Sequence, residues 1–364
     1  MHWRKIWGAM LALGAGLSIT LGAQAMPIVH QRASALASGR TRLLNDYRVK
    51  MWHQPRHYKH ARHLHGHNTI RGTQGVRVTF KTAYLLPSPG YHHQAWGNPQ
   101  SMATVGRYIY VVYCPTNWHN RGRLVRFDQK WLKAHHVTAR QLQKVYTKKA
   151  THSARERAIR RAIKVGPTFI TGHGQSLAYN WHDHHLYMWC DRESKPRVPT
   201  NQYGYINRLS THTLRPNHQI RFRLRNRRMA VPGGHVLTFD RSGRAYFWTR
   251  PSAKRVNLYQ GTIGRHHVRF RLTHQVLRHA PGSRVQSIAY NPHNRRLYLV
   301  SDDSIASLPI HSLRGRGHLS AKSVRWTGFS PRREFEALNF TTSGRATLMT
   351  NHDPEILKST HTGW

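Results

Sequence analysis

One motif recurs along this chain and restricts its fold more than any other property of the sequence. Gln175-Ser176-Leu177-Ala178-Tyr179-Asn180, a short turn, and Leu186-Tyr187-Met188-Trp189-Cys190-Asp191 form one copy. Gln286-Ser287-Ile288-Ala289-Tyr290-Asn291, followed by Leu297-Tyr298-Leu299-Val300-Ser301-Asp302, repeats it with the same spacing. Gln100 to Thr104 with Tyr108 to Val112 is a third copy. His235 to Phe239 with Ala245 to Thr249, and Glu336 to Phe340 with Ala346 to Thr350, are weaker ones. Each weaker copy carries a Ser-Gly-Arg turn, at Ser242-Gly243-Arg244 and Ser343-Gly344-Arg345. Further strand-like runs follow the hairpins, third ones at Leu124–Phe127, Tyr205–Leu209, Asn257–Ile263 and Ile305–Ile310. Fourth runs lie at Ile220–Leu224, Val268–Leu272 and Ser323–Trp326. Four antiparallel strands per unit of about 50 residues is the arithmetic of a propeller blade. The expected fold is an all-β, five-bladed β-propeller over residues 75–364.

Two departures from the period refine this expectation. Between the first two hairpins, residues 137–165 read as a helical insertion after the first blade. Ser153-Ala154-Arg155-Glu156 is a capping box, Ala154–Lys164 is compatible with helix, and Gly166 is placed to end it. The last unit is one strand short, and the orphan pattern Val76–Leu85 is expected to complete it, closing the ring without an exposed edge.

The N-terminal quarter reads differently. Arg4 and Lys5, the apolar run Ile6–Gly22 and Ala23-Gln24-Ala25 have the layout of a secretory signal peptide over residues 1–25. Residues 26–74 hold one carboxylate, Asp46, and no sustained periodicity, so they read as a disordered basic arm. His53, His57, His60, His63, His65 and His67 lie there among Arg56, Lys59 and Arg62. Imidazoles suit zinc or copper, but an ordered site needs supporting groups that this stretch lacks. The reading is a cationic tail whose charge rises as pH falls through about 6.5, with no metal and no cofactor.

Charge narrows the partners. The 58 Lys and Arg stand against 13 Asp and Glu, for a net charge of +45, with 30 His in addition. With 38% apolar residues and 11 Trp the chain is no disordered polycation. Inside a cell such a charge suggests nucleic acid. No helix-turn-helix, zinc-finger or RNA-binding motif accompanies it, and export points to other polyanions: teichoic acids, mucin-type glycans and anionic membrane surfaces. Nothing in the sequence calls for more than a monomer.

First strands of blades line the central channel, so the repeat itself picks out candidate ligand-binding residues. The five starts align Gln100, Gln175, His235, Gln286 and Glu336. Two residues earlier lie Asn98, His173, Gly233, Arg284 and Glu334. Amides, imidazole, guanidinium and carboxylates there suit a sugar or phosphate. Glycosidase chemistry would need two carboxylates about 5 to 10 Å apart, which leaves Glu336 and Glu334, with His173 as an acid/base partner. Asp302 and Asp303, after a second strand, read as a turn nearer the blade periphery rather than a calcium site. Cys114 and Cys190 fall on opposite strand faces by the repeat alignment and are expected to remain unbridged.

The hairpin Pro99 to Tyr113, Gly174-Gln175-Ser176 and the run Leu297–Asp303 resemble secreted propeller proteins of lactic-acid bacteria, similar to the helveticin-J class of large bacteriocins. The resemblance covers about residues 90–355. His173-x-Gln175 and Glu334-x-Glu336 look like that class's channel-facing His-x-Glu segments, with Gln in place of Glu at 175. It implies an extracellular, antibacterial or envelope-directed protein and carries over no catalytic set. Binding of an anionic cell-envelope polymer or glycan is the expected function. A secreted polysaccharide hydrolase or lyase is the alternative.

Overall fold

The computed structural model describes residues 28–30, 34–35, 41–60, 68–87, 96–114, 120–146, 151–190, 193–195, 198–199, 204–222, 224–226, 229–230, 236–314 and 317–364. The expectations for residues 1–25, His63, His65, His67, Gly233 and His235 lie outside the described residues.

The repeat folds as its spacing requires. Asn98–Val105, Tyr108–Cys114, Arg121–Asp128 and Ile163–Ile170 pair antiparallel in sequence order. So do Leu177–Asn180, His185–Cys190, Gly204–Leu209 and Pro216–Phe222. Thr238–Phe239, Ala245–Ser252, Arg255–Ile263 and Val268–Leu272 form the next sheet, and Ser287–Asn291, Arg296–Ser301, Ser304–Pro309 and Arg325–Phe329 the one after. Phe335–Phe340, Ala346–Thr350 and Glu355–Ser359 are completed by Thr79–Leu85, the orphan strand foreseen from the sequence. The chain is mostly β and propeller-like, its antiparallel sheets following one another along the sequence. The two strong copies turn in the same way. Asn180 Oδ1 accepts the His182 N–H at 3.0 Å and Asn291 Oδ1 that of His293 at 2.9 Å. His184 and Arg295 then adopt left-handed φ of 59° and 54°.

Apolar residues meet between sheets. Trp189 of the 177–222 sheet, itself against Phe222 at 5.0 Å, packs on Phe247 and Phe270 of the next sheet with ring centroids 5.0 and 5.8 Å apart. Each such ring, fully buried, contributes roughly 1.5–3 kcal/mol. A second cluster joins the 98–170 sheet to Ala337, Met349 and Ile356 of the 335–359 sheet.

Three expectations are corrected. The helical insertion lies within the first sheet rather than after it. Helices α1 (Gln129–Ala134), α2 (Ala139–Lys144) and α3 (Ala154–Arg161) connect its third and fourth strands. The Ser153/Glu156 capping box is present, but the helix stops at Arg161, and Gly166 sits inside the strand Ile163–Ile170. A Cβ there would come within 2.7 Å of Leu214.

The described parts of residues 26–74 are also not a disordered arm. Ile28–His30 pairs parallel with Pro216–Phe222, Arg42–Leu44 parallel with Gln275–Leu277, and Thr69–Gly75 antiparallel with Arg325–Phe329. The segment therefore runs as a belt along the outer edges of successive sheets, satisfying backbone groups that would otherwise face solvent. Asp46, the lone carboxylate, anchors it. Its fully buried Oδ1 accepts the Arg278 and His279 N–H groups at 3.0 and 2.9 Å. Parallel pairings of three residues are too short to leave a period in the sequence.

Finally, the boundary at residue 75 falls within a hairpin. Thr69–Gly75 also pairs with Thr79–Leu85, so the last two units share one nine-stranded sheet.

Candidate functional site

The starts of the first strands do converge, and they bring amides against carboxylates. Gln175 Nε2 donates to Gln286 Oε1 at 2.8 Å and to Glu336 Oε2 at 3.4 Å. Gln286 Nε2 donates to Asp302 Oδ1 at 2.8 Å, and Asn351 Nδ2 to Glu336 Oε1 at 3.0 Å. Three repeat units thus contribute to one rim. Gln100 is buried at the same register, and its Oε1 has no hydrogen-bond partner among the described residues.

The carboxyls differ in state. Burial pushes Glu336 well above the usual carboxylate range, and the neighbouring charges of Glu334 and Asp302 push it further. Asp302 is raised as well, chiefly by burial, against hydrogen bonds from Tyr58 and Gln286 that favour its ionised form. Glu334 is more open, with Oε2 3.3 Å from His352 Nε2.

Other expected site residues make different contacts, with the Arg284 charge near enough to Asp302 to favour its ionised form. Arg284 Nε donates to Gln54 Oε1 at 2.6 Å. Asn98 is exposed opposite Cys114 at its strand's start. His173 is half-buried in a turn between Gly172 and Gly174, whose φ values are 61° and 90°. Cys114 and Cys190 are buried free thiols, the latter accepting from Asn207 Nδ2 at 3.2 Å.

Sequence reasoning missed Asp302, Asn351 and Tyr58. Asp302 is not peripheral. A second strand runs antiparallel to the first, so its last residue returns beside the first strand's start. Asn351 holds the equivalent place after Ala346–Thr350, and a polar residue recurring at that repeat position was the available signal. Tyr58 had none. Its hydroxyl donates to Asp302 Oδ2 at 2.6 Å across 244 residues of sequence. Its ring stacks on His352 at 5.0 Å. Burial and the Asp302 charge hold the phenol protonated, well above its ordinary range.

Below the rim, the first strands enclose a cavity of about 20 Å³ between Leu177, Leu237, Ile288 and Leu338. That is room for about one water. The channel in this form does not admit a larger ligand.

No family model matches the chain, and no curated protein matches it. Among solved structures, it is similar to an exo-β-1,3-galactanase from Clostridium thermocellum at 11% identity. That likeness covers 76% of this chain and 61% of the other, with a TM-score of 0.45. An exo-β-1,3-galactanase from Phanerochaete chrysosporium matches at 8% identity, over 76% and 63%, with a TM-score of 0.39. The soluble aldose sugar dehydrogenase of Escherichia coli matches at 10% identity, over 77% and 99%, with a TM-score of 0.37.

Proposed function

We propose that this chain is a secreted five-bladed β-propeller that binds anionic cell-envelope polymers of teichoic-acid or mucin type through its cationic exterior. On this reading the rim holds a glycan unit of the polymer, and the action on the target is helveticin-like. Five blades are supported by the sequence of neighbours among the first strands. Asn98–Val105 lies beside Leu177–Asn180, then come Thr238–Phe239, Ser287–Asn291 and Phe335–Phe340, which lies beside Asn98–Val105 again.

The observation that carries the binding reading is where the acids are. Asp46, Asp240, Asp302, Asp303, Glu336 and Glu355 are all buried. Asp128 and Glu156 cap helices, Asp183 accepts from Tyr187, and Asp353 and Glu334 face histidines. The carboxylates thus serve the interior and the turns, while 58 Lys and Arg stand against only 13 acids. The exterior is left cationic with little internal neutralisation, a surface suited to a polyanion.

The test is retention of the chain on immobilised teichoic acid across a salt series, beside neutral dextran and DNA. Binding should fall steeply between about 0.05 and 0.5 M salt as screening shortens and be absent on dextran. Equal retention on dextran, or none of the salt dependence, refutes the reading. Stronger retention on DNA at matched charge refutes the envelope-polymer assignment.

One observation favours the hydrolase or lyase. Glu336 is buried, which raises its pKa, while Glu334 is more open, and unequal environments of two carboxyls are how acid and base roles are divided. Release of reducing ends from wall polysaccharide, lost in Glu336→Gln, would establish it. No release from any wall fraction removes it.

A further inference from the structure

Tyr58 comes from a segment that lies across the rim. Trp52 N donates to the Pro281 carbonyl and Ser283 N to the Trp52 carbonyl, both at 2.9 Å, and Gln54 N donates to Ser283 Oγ at 3.1 Å. Five residues on, Lys59 N donates to the Arg332 carbonyl at 2.8 Å, and His60 Nδ1 lies 3.1 Å from Asp353 Oδ2. Residues 52–60 therefore span from the residues just before Gln286 to those just before Glu334 and Glu336. His53, Arg56, His57, Lys59 and His60 face solvent. Tyr58 turns inward between them.

What Tyr58 does there is what a sugar would do. Its hydroxyl donates to a buried carboxylate that also accepts from Gln286, and its flat ring lies against an imidazole. Hydroxyl to carboxylate, with one face of the ring on an aromatic group, is a polar-plus-apolar recognition pattern for a polyhydroxylated ring. The groups around it suit a neutral partner. Asp302 and Glu336 accept, and the amides of Gln175, Gln286 and Asn351 do either. Gln100 Oε1 remains buried and unmatched at the same register.

We propose that residues 52–60 are a strap that occupies the rim site, with the Tyr58 phenol in the place of a ligand hydroxyl, and that a neutral polyhydroxylated ligand binds when the strap lifts. This rests on the reading of the rim as the glycan-binding site, and it adds that the site is self-occluded. An occluded site binds with its intrinsic affinity reduced by the fraction open. Loosening the strap therefore raises apparent affinity without any new contact.

The test uses the full chain and four probes: galactose-, glucose- and N-acetylglucosamine-based tetrasaccharides, and sorbitol, titrated by calorimetry. Tyr58→Ala should bind at least one tetrasaccharide ten-fold or more tighter than the unaltered chain. Tyr58→Phe, which keeps the ring and loses the hydroxyl donor, should show a smaller gain and guards against misfolding of the first variant. Amide hydrogen exchange at Lys59 should accelerate on adding the bound probe. Failure of both Tyr58 variants to gain affinity, or no binding to either of them, overturns the strap. If Tyr58→Ala gains affinity but Gln175→Ala added to it leaves binding unchanged, the rim assignment fails instead. If Gln175→Ala weakens binding in a chain that gains nothing from Tyr58→Ala, the rim stands and the strap does not.

Discussion

Asp303 offers the sharpest test of the energetics. It is fully buried at the two-residue turn joining Arg296–Ser301 to Ser304–Pro309, with φ of +52°. Oδ1 accepts the Arg333 N–H at 3.2 Å, while Oδ2 is buried without a partner among the described residues. Burial pushes its pKa from 3.8 up to about 7, and the Asp302 charge adds to the shift. The folded chain therefore prefers the protonated acid. That preference is fully present below about 3.9, the unfolded value, shrinks as pH rises, and is lost above about 7. About three pKa units at 1.36 kcal/mol each give an upper figure of about 4 kcal/mol withdrawn between acid and pH 8. Asn is the chosen replacement because it keeps the acceptor, tolerates left-handed φ and cannot ionise. Asp303→Asn should match the parent near pH 4 and exceed it by about 2–4 kcal/mol at pH 8, or on the order of 10 °C in Tm. Urea or thermal unfolding at pH 4.5, 6 and 8 measures this. A stability difference that does not grow with pH, or a variant less stable at pH 8, refutes the argument.

Other outcomes follow from single contacts. Arg333 Nη1 and Glu355 Oε1 are 2.6 Å apart with side chains 5% and 0% exposed, so Glu355→Ala should cost about 3–5 kcal/mol by stranding a buried guanidinium. Adding Arg333→Met to it should recover part of that loss in denaturant unfolding, and strict additivity would contradict a coupled pair. Gly243 and Gly344, at φ of 76° and 84°, lie where a Cβ would meet His182 Cβ at 2.9 Å and His293 Cβ at 2.8 Å. Gly106 has φ of 55° and open space around it. Alanine at Gly106 should cost about 1–2 kcal/mol for the backbone alone, and measurably more at the other two. Removing residues 26–75 should cause concentration-dependent aggregation in light scattering, because the outer edges of the 204–222, 255–277 and 304–329 strands lose their cover. Neutralising exposed Lys and Arg without shortening the chain should cause no such aggregation.

The repeat was legible because its cause is local. A hairpin of two alternating strands joined by an Asn-capped turn leaves the same spacing wherever it occurs. The copies at 175–190 and 286–302 therefore disclosed their strands, turns and first-strand register without any tertiary information. Thr79–Leu85 could be assigned to the last unit by counting, since one strand was missing and one was spare. Glu336, Gln175 and Gln286 were legible as neighbours for the same reason, because ring symmetry brings equal repeat positions together.

Contacts made once, across long separations, leave no such mark. Tyr58 reaches Asp302 over 244 residues, and Asp46 reaches His279 over 233. Neither partner carries a pattern that depends on the other. The belt pairs three residues at a time, below the length at which alternation can be recognised, and its cationic side chains made it read as an unfolded tail. Protonation states were equally hidden. Glu334 and Glu336 are two residues apart in sequence, yet only the packed rim separates a buried carboxyl, whose pKa desolvation raises, from a more open one beside His352. Sequence alone determined which positions repeat and the order of the hairpins built on them, because these follow from local hydrogen bonding and chain geometry. Tertiary structure decided which of the scarce acids are desolvated and what covers the rim, because burial depends on every segment that packs nearby.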